Sequence, residues 1–544
     1  MTSYFARAVW SMTAAAAIAA GLCAQEVANK EPVALPEYNV TAERELPPPE
    51  SWHYARIEGF EVLSSAGESE TRELLKNFQR FALGLDLLWP GMRPSNAVPA
   101  ALVICGRDRR YESFLPAAQR AGEQRGTAFS LRTLQGSALV LDEETRILNL
   151  ATSDLANQEA APTLPSEGGA DTTGADATVD LGFSVDPNQQ LYREYVRFLT
   201  TGMNPPISAW FAEGLAQLFM NMRITETEIS VGRVQNPNLA TENRGAVVRE
   251  DGDFNEALGG RALIPWADFF AVTLESETAR ASVNNAWAKQ AYAFVHWGLY
   301  GDFGRNQKAF VKFILRSAQQ PVTEELFKEC FKLTYAEGLQ ALRNHIEMTR
   351  SRVVGVRAEK GQKLPQPPAV ELREATQAEI ARLKADVFTL AGHPEAARAE
   401  LITAYRRGER PPLLLAALGE AELAAGESAR ARKFLELAAA AKVVRPSAYV
   451  ALARLRLAEA KAQPLGGDGK LSAEQLKAVL GPLFVARSQP PRRPDTYTVI
   501  AEAWAASATP PAAAHLAVVE EGRRFFPADP ALRAAAEALP APQP

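Results

Sequence analysis

The chain has 544 residues, 47% hydrophobic and 23% charged, with a formal net charge of -5. At roughly 150 residues per domain that length implies about three or four units rather than one core. The absence of any overall basic excess gives no reason to expect a nucleic-acid partner, and a mean hydropathy of -0.16 argues against a polytopic membrane protein.

Residues 1–24 read as an export signal: Arg7 supplies the positive start, Ala8 to Leu22 an alanine-rich apolar stretch, and Ala24 a cleavage point before Gln25. The expected destination is therefore periplasmic or secreted. Cys23 fits a lipid-anchor signal poorly because Gly21 and Leu22 precede it. Cys105 and Cys330 read as small core residues, too few for a disulfide scaffold, and the sequence leaves their pairing open. Residues 25–50 are rich in Pro and Glu and read as a disordered leader.

From His53 the composition predicts alternating elements. His53 to Ser65 has strand character, Ser69 to Leu88 carries an apolar stripe at helical spacing, and Ala101 to Cys105 is a short buried strand. Tyr111 to Leu115 begins another helix, and Ala138 to Leu141 and Ile147 to Ala151 read as strands. The expected fold class is α+β: a small mixed sheet plus a helical half, over residues 51–350. Residues 154–186, acidic and without Lys or Arg, read as a disordered insertion.

Asp186 and Pro187 then start a helix. Pro205 and Pro206 enforce a turn, and Ser208 caps the next helix, which runs past Phe219. Arg193 and Arg197 lie one turn apart on the first helix with Glu194 beside them, and Glu213 stands on the second. Ile224 to Val234 reads as a hairpin, and helices follow over Asn285 to Leu299, Arg305 to Ser317, Glu325 to Leu333 and Thr334 to His345.

The segment Arg-Glu-Tyr-Val-Arg from Arg193, followed by Trp210-Phe211-Ala212-Glu213-Gly214-Leu215-Ala216, resembles the gluzincin clan of zinc peptidases, and more narrowly the bacterial peptidase MA-like family. The likeness runs from about Trp52 to Glu347 and includes Ala291 to Trp297. It implies a zincin-like domain with Glu194 at the general-base position, Arg193 and Arg197 at two histidine-ligand positions, and Glu213 at the third ligand. In the family the two histidines hold zinc and the glutamate activates its water. Arginine stays protonated and offers a metal no lone pair. No cofactor, zinc included, is therefore expected here, and Glu194 is expected to stand idle. The sequence instead predicts that both arginines pair with Glu194 and Glu213, since a buried carboxylate pair without a cation is costly. Trp210 and His296 are possible cleft residues. A lone histidine in an aromatic helix is more often a packing residue than a ligand.

Residues 351–372 read as a linker. Beyond it, over 373–540, Gly392, Ala397, Leu401 and Ala404 recur as Gly426, Ala431, Leu435 and Ala438, about 34 residues on, the tetratricopeptide period. An all-α tetratricopeptide-like solenoid is expected, with a peptide or protein as its partner. The leading expectation is an exported, inactive metallopeptidase-like protein acting as a binding module. Two others compete with it: a hydrolase using Glu194 or Glu213 with an unrecognised metal site, and a structural spacer carrying functional repeats.

Overall fold

The computed structural model describes residue 36 and residues 46–539, apart from 93–97, 107–109, 117–126, 134–135, 144–146, 150–181, 185, 202, 204–206, 235–248, 251–253, 275, 281–284 and 349–352. The signal, most of the leader, most of the acidic insertion and the Pro205–Pro206 turn lie outside the described residues.

The chain is mixed α and β, with more helix than strand. Its main sheet begins with a hairpin, β1 (His53–Ile57) and β2 (Phe60–Ser64), turned by Gly59 at φ 80°. It continues with β3 (Ala100–Cys105), β4 (Ala128–Arg132) and β5 (Ser137–Asp142). β2, β3 and β5 run parallel, β4 is an antiparallel edge beside β5, and the short strand Arg373–Glu374 closes the other edge against β1. The sequence reading did not include β4. It assigned Ile147 to Ala151 to the same sheet, but Ile147–Asn149 pairs with Gly182–Ser184 in a separate small one.

All six residues of β3 are buried, because both faces of the sheet are covered. Leu102, Ile104, Leu139 and Leu141 point into one core with α1 (Glu68–Leu88), α2 (Pro187–Thr201), α3 (Ala209–Met220) and α4 (Ala286–Tyr300). Val103, Cys105 and Val140 point the other way, as period-two alternation requires. Cys105 and Cys330 are both buried, in different cores. α5 (Gln307–Ser317), the helix Glu324–Phe331 and α6 (Tyr335–Glu347) complete the helical half.

The predicted hairpin is present as Arg223–Ile224 and Glu228–Val231. A third strand, Val354–Arg357, adds to it from within the segment whose composition reads as a linker. Leu364 and Val370 from the same segment are buried in the first core. Prolines and glycines mark the segment as irregular, but its scattered apolar residues have a surface to cover.

The remaining chain is a succession of helix pairs: α7 (Gln377–Leu390) with α8 (Pro394–Arg406), α9 (Pro412–Ala424) with α10 (Ser428–Ala440), and α11 (Pro446–Ala462) with α12 (Ala473–Ser488). The helices Pro494–Ala505, Ala513–Phe525 and Pro530–Glu537 follow. Two of the turns within these pairs are alike. Gly392 and Gly426 both adopt left-handed φ, 83° and 82°, and the next amide in each returns to the helix: His393 N to Phe388 O, and Glu427 N to Glu422 O. Gly419 lets α9 meet α10, since a Cβ there would lie 2.7 Å from Leu435 Cγ.

Candidate functional site

Two helices and one strand build the polar centre. Asp186 starts α2, its Oδ1 accepting from Asn188 N at 2.8 Å. Nine residues of α2 are buried, Arg193 and Glu194 among them, because α2 packs against α1, α3, β4 and β5. α3 is buried along its whole length. It crosses α4 closely at Gly214, where a Cβ would fall 2.5 Å from Ala291 O. Phe211, Leu215 and Phe219 form one stripe of α3, and Glu213 and Gln217 face the opposite way.

Arg193 lies between the two carboxylates. Its Nε and Nη2 donate to Glu213 Oε1 and Oε2 at 2.9 and 3.0 Å, a bidentate fork. Its Nη1 donates to Glu194 Oε1 at 2.9 Å. Arg197 Nη1 donates to the same Glu194 oxygen at 3.3 Å and stands 3.8 Å from Glu213 Oε2, while its Nη2 donates to Ala279 O at 3.2 Å. Ser130 Oγ on β4 donates to Glu194 Oε2 at 3.3 Å. Gln217 Nε2 donates to Glu213 Oε1 at 3.1 Å, and Lys289 Nζ donates to Gln217 Oε1 at 3.3 Å. Arg193, Glu194, Glu213 and Lys289 are each under 5% exposed. The arginine–carboxylate pairing expected from helical spacing is thus present, and it is buried.

Burial pushes the Glu213 carboxyl up, but the adjacent Arg193 and Arg197 charges and their hydrogen bonds outweigh it, leaving its pKa below the usual carboxylate value. Glu213 is therefore an anion at neutral pH with both oxygens engaged. The sequence reading missed Ser130, Gln217 and Lys289. Gln217 follows Glu213 by one helical turn. Lys289 is the one charged residue in the apolar run Ala286 to Trp297, a signal that was available. Ser130 had none, since β4 itself was not foreseen.

The two residues read as possible cleft residues stand inside the core instead. Trp210 is 1% exposed and packs against Phe270, Phe294, Phe310 and Phe313. His296 is fully buried. Its Nε2 lies 3.0 Å from Gly232 O and its Nδ1 lies 2.9 Å from His345 Nε2. A carbonyl only accepts, so His296 donates from Nε2, and its Nδ1 accepts a hydrogen bond from His345 Nε2. Burial lowers the His296 pKa to about 4 and that of His345 to about 3. Both rings are neutral packing groups that tie α4, α6 and the residue after Glu228–Val231 together.

The donor set around Glu194 and Glu213 does not suit a metal. The two carboxylates already accept from guanidinium, hydroxyl and amide donors, Gln217 Oε1 already accepts from Lys289, and the neighbouring cations repel a further positive charge. The chain matches no protein-family model, no curated protein and no solved structure.

Proposed function

We propose that residues 51–350 are a peptidase-like unit of the gluzincin kind whose zinc site has lapsed, and that the chain is an exported binding protein rather than a hydrolase. The helix pairs beyond it are read as tetratricopeptide-like repeats that take a peptide or protein partner. One observation carries the proposal: the guanidinium of Arg193 spans the carboxylates of Glu194 and Glu213 in a closed set of hydrogen bonds. These are the positions that the resemblance assigns to a zinc ligand, a general base and a third ligand.

What such a cleft retains is its strand. β4 is a sheet edge lying over α2, with Ser130 against Glu194 and Arg132 Nη1 donating to Phe198 O at 3.2 Å. An extended peptide can add to such an edge through main-chain hydrogen bonds without any metal. The competing hydrolase reading finds little support. A general base needs a free lone pair and a pKa near the working pH. Glu213 has its oxygens occupied and its pKa lowered, and Glu194 shares its own with Arg193, Arg197 and Ser130.

The test is metal content by elemental mass spectrometry after zinc exposure and desalting. The native chain is expected to hold almost none, and Arg193→His with Arg197→His to hold about one zinc per chain, as a restored set of two imidazoles and one carboxylate would. About one zinc on the native chain, or peptide hydrolysis abolished by Glu194→Gln, would overturn the proposal.

A further inference from the structure

A second site lies on the opposite face of α3 from Glu213. There the stripe of Phe211, Leu215 and Phe219 forms the wall of a half-open pocket of about 320 Å³. Its other walls come from the end of α1, the end of α4, α5 and two strands, and Tyr300 contributes the only hydroxyl side chain to the lining. The pocket is far more apolar than a surface hollow needs to be. Its mouth stays open to water although it carries Trp89, Val311 and Leu315, exposed by 37%, 43% and 62%. Apolar side chains gathered at one mouth differ from ones scattered singly over a surface.

Cations mark the outer stripe of α5 beside these apolar residues. Lys308, Val311, Lys312 and Leu315 follow one another at helical spacing along the outer stripe of α5. Four cations, Arg305, Lys308, Lys312 and Arg316, follow Asp302 along this stretch. Lys312 and Arg316 share Glu329. The side chains of Lys308 and Arg305 have no ion-pair partner among the described residues. The loop leading into α5 is also held in an unfavourable backbone: Asp302, Phe303 and Gly304 all have left-handed φ, and Phe303 stands 70% exposed. Backbone strain of this kind persists where the surroundings impose it and is found at ligand clamps.

We infer that this pocket binds one acyl chain ending in an anionic group, such as a free fatty acid, with the chain against Phe211, Leu215 and Phe219 and the head at Lys308. An apolar pocket of this size takes a flexible hydrocarbon tail, and a few placed polar groups at its mouth fix the orientation. The cationic stripe distinguishes an anionic amphiphile from a neutral one. This inference does not depend on the state of the Arg193 cluster, which faces the other way.

Calorimetric titration of the full chain with octanoate, decanoate and dodecanoate below their micellar concentrations tests it. One saturable site is expected, tightening about fourfold per added methylene group. Leu315→Asp and Val311→Asp, both at exposed positions, are expected to weaken dodecanoate at least about tenfold with an unchanged melting temperature. Lys308→Glu is expected to weaken dodecanoate while leaving a neutral dodecyl glycoside unaffected. Absence of saturable binding, or equal binding by the Leu315→Asp chain, overturns the inference. Flotation with phosphatidylglycerol vesicles that Leu315→Asp abolishes, without binding of free dodecanoate, overturns it in favour of a membrane-docking face. A concentration-dependent dimer that Leu315→Asp abolishes, again without dodecanoate binding, overturns it in favour of self-association.

Discussion

Arg193 satisfies two buried carboxylates at once, so removing it leaves both short of a cation. Arg193→Met is expected to destabilise the chain by about 3–5 kcal/mol, read as a shift of the urea midpoint at constant slope. Arg193→Met with Glu213→Met removes both ends of the fork and is expected to recover much of that loss; no recovery would show that packing, not charge, sets the cost. The same pair makes stability depend on pH. The folded pKa of Glu213 lies below its unfolded value, so its contribution is complete above the unfolded pKa and is lost as pH falls through the acid range. The histidine pair acts at higher pH. His296 and His345 are depressed to about 4 and about 3 from an ordinary 6.5. The unfolded chain therefore binds more protons between these values, and stability present at neutral pH declines as pH falls from 6.5 toward 4. Melting temperatures between pH 7.5 and 4.5 are expected to fall, and His345→Gln, which keeps a donor for His296 Nδ1, is expected to flatten the fall. An unchanged slope in that variant would mean that other groups carry it. The arginine–carboxylate set was legible because Arg193, Glu194 and Arg197 share one turn of a helix and the resemblance to the gluzincin pattern implies Glu213 opposite them. The histidine pair was not, because its members lie 49 residues apart and only the packing of α4 on α6 joins them.

At the scale of the element, close helix crossings explain residues that also look like motif. In the run Trp210 to Ala216, Gly214 touches α4 so tightly that an added Cβ would meet Val295 Cγ2 at 2.4 Å and Ala291 O at 2.5 Å. Gly214→Ala is accordingly expected to cost about 1–3 kcal/mol by overpacking, measured by thermal or urea unfolding. A neutral substitution would mean that α3 and α4 separate freely at this crossing. Helices and their ends could be read ahead of the structure because their signals are local and periodic: the stripe of α1, the cap at Asp186, and the glycines at 392 and 426. β4 was missed although Phe129 to Arg132 alternates apolar and polar, because five residues are too short to stand out, and what makes it a strand is the ladder offered by β5. The strand Val354–Arg357 was hidden for the same reason. It sits among prolines and glycines, and its register comes from Glu228–Val231, more than a hundred residues earlier.

Across the whole molecule, the helix pairs are not a separable appendage. α7 covers the second face of the main sheet: Ile380, Leu383 and Phe388 share one core with Trp52, Val103 and Val140, and the Phe388 ring stacks on Phe114 at 4.8 Å. Charges fasten the same seam. Lys384 Nζ lies 2.9 Å from Glu50 and 2.7 Å from Glu400, and Arg382 Nη2 lies 2.8 Å from Glu61. Just before α7, Arg373–Glu374 completes the sheet edge beside β1. A chain ending at Ala369 would therefore expose the apolar side of β2, β3 and β5, and it is expected to bind a hydrophobic dye and to lose a cooperative melt. A chain ending at Lys442 keeps α7 to α10 over the sheet and is expected to melt cooperatively. Equal melting temperatures for the chain ending at Ala369 and the full chain would show that the sheet does not need its cover. If the cover is required, loss of the proposed partner from the chain ending at Ala369 says nothing about the helix pairs, because the sheet edge at β4 is lost with them. Truncation at Lys442 separates the two: a partner held by the later helix pairs is lost, and one held along β4 is retained.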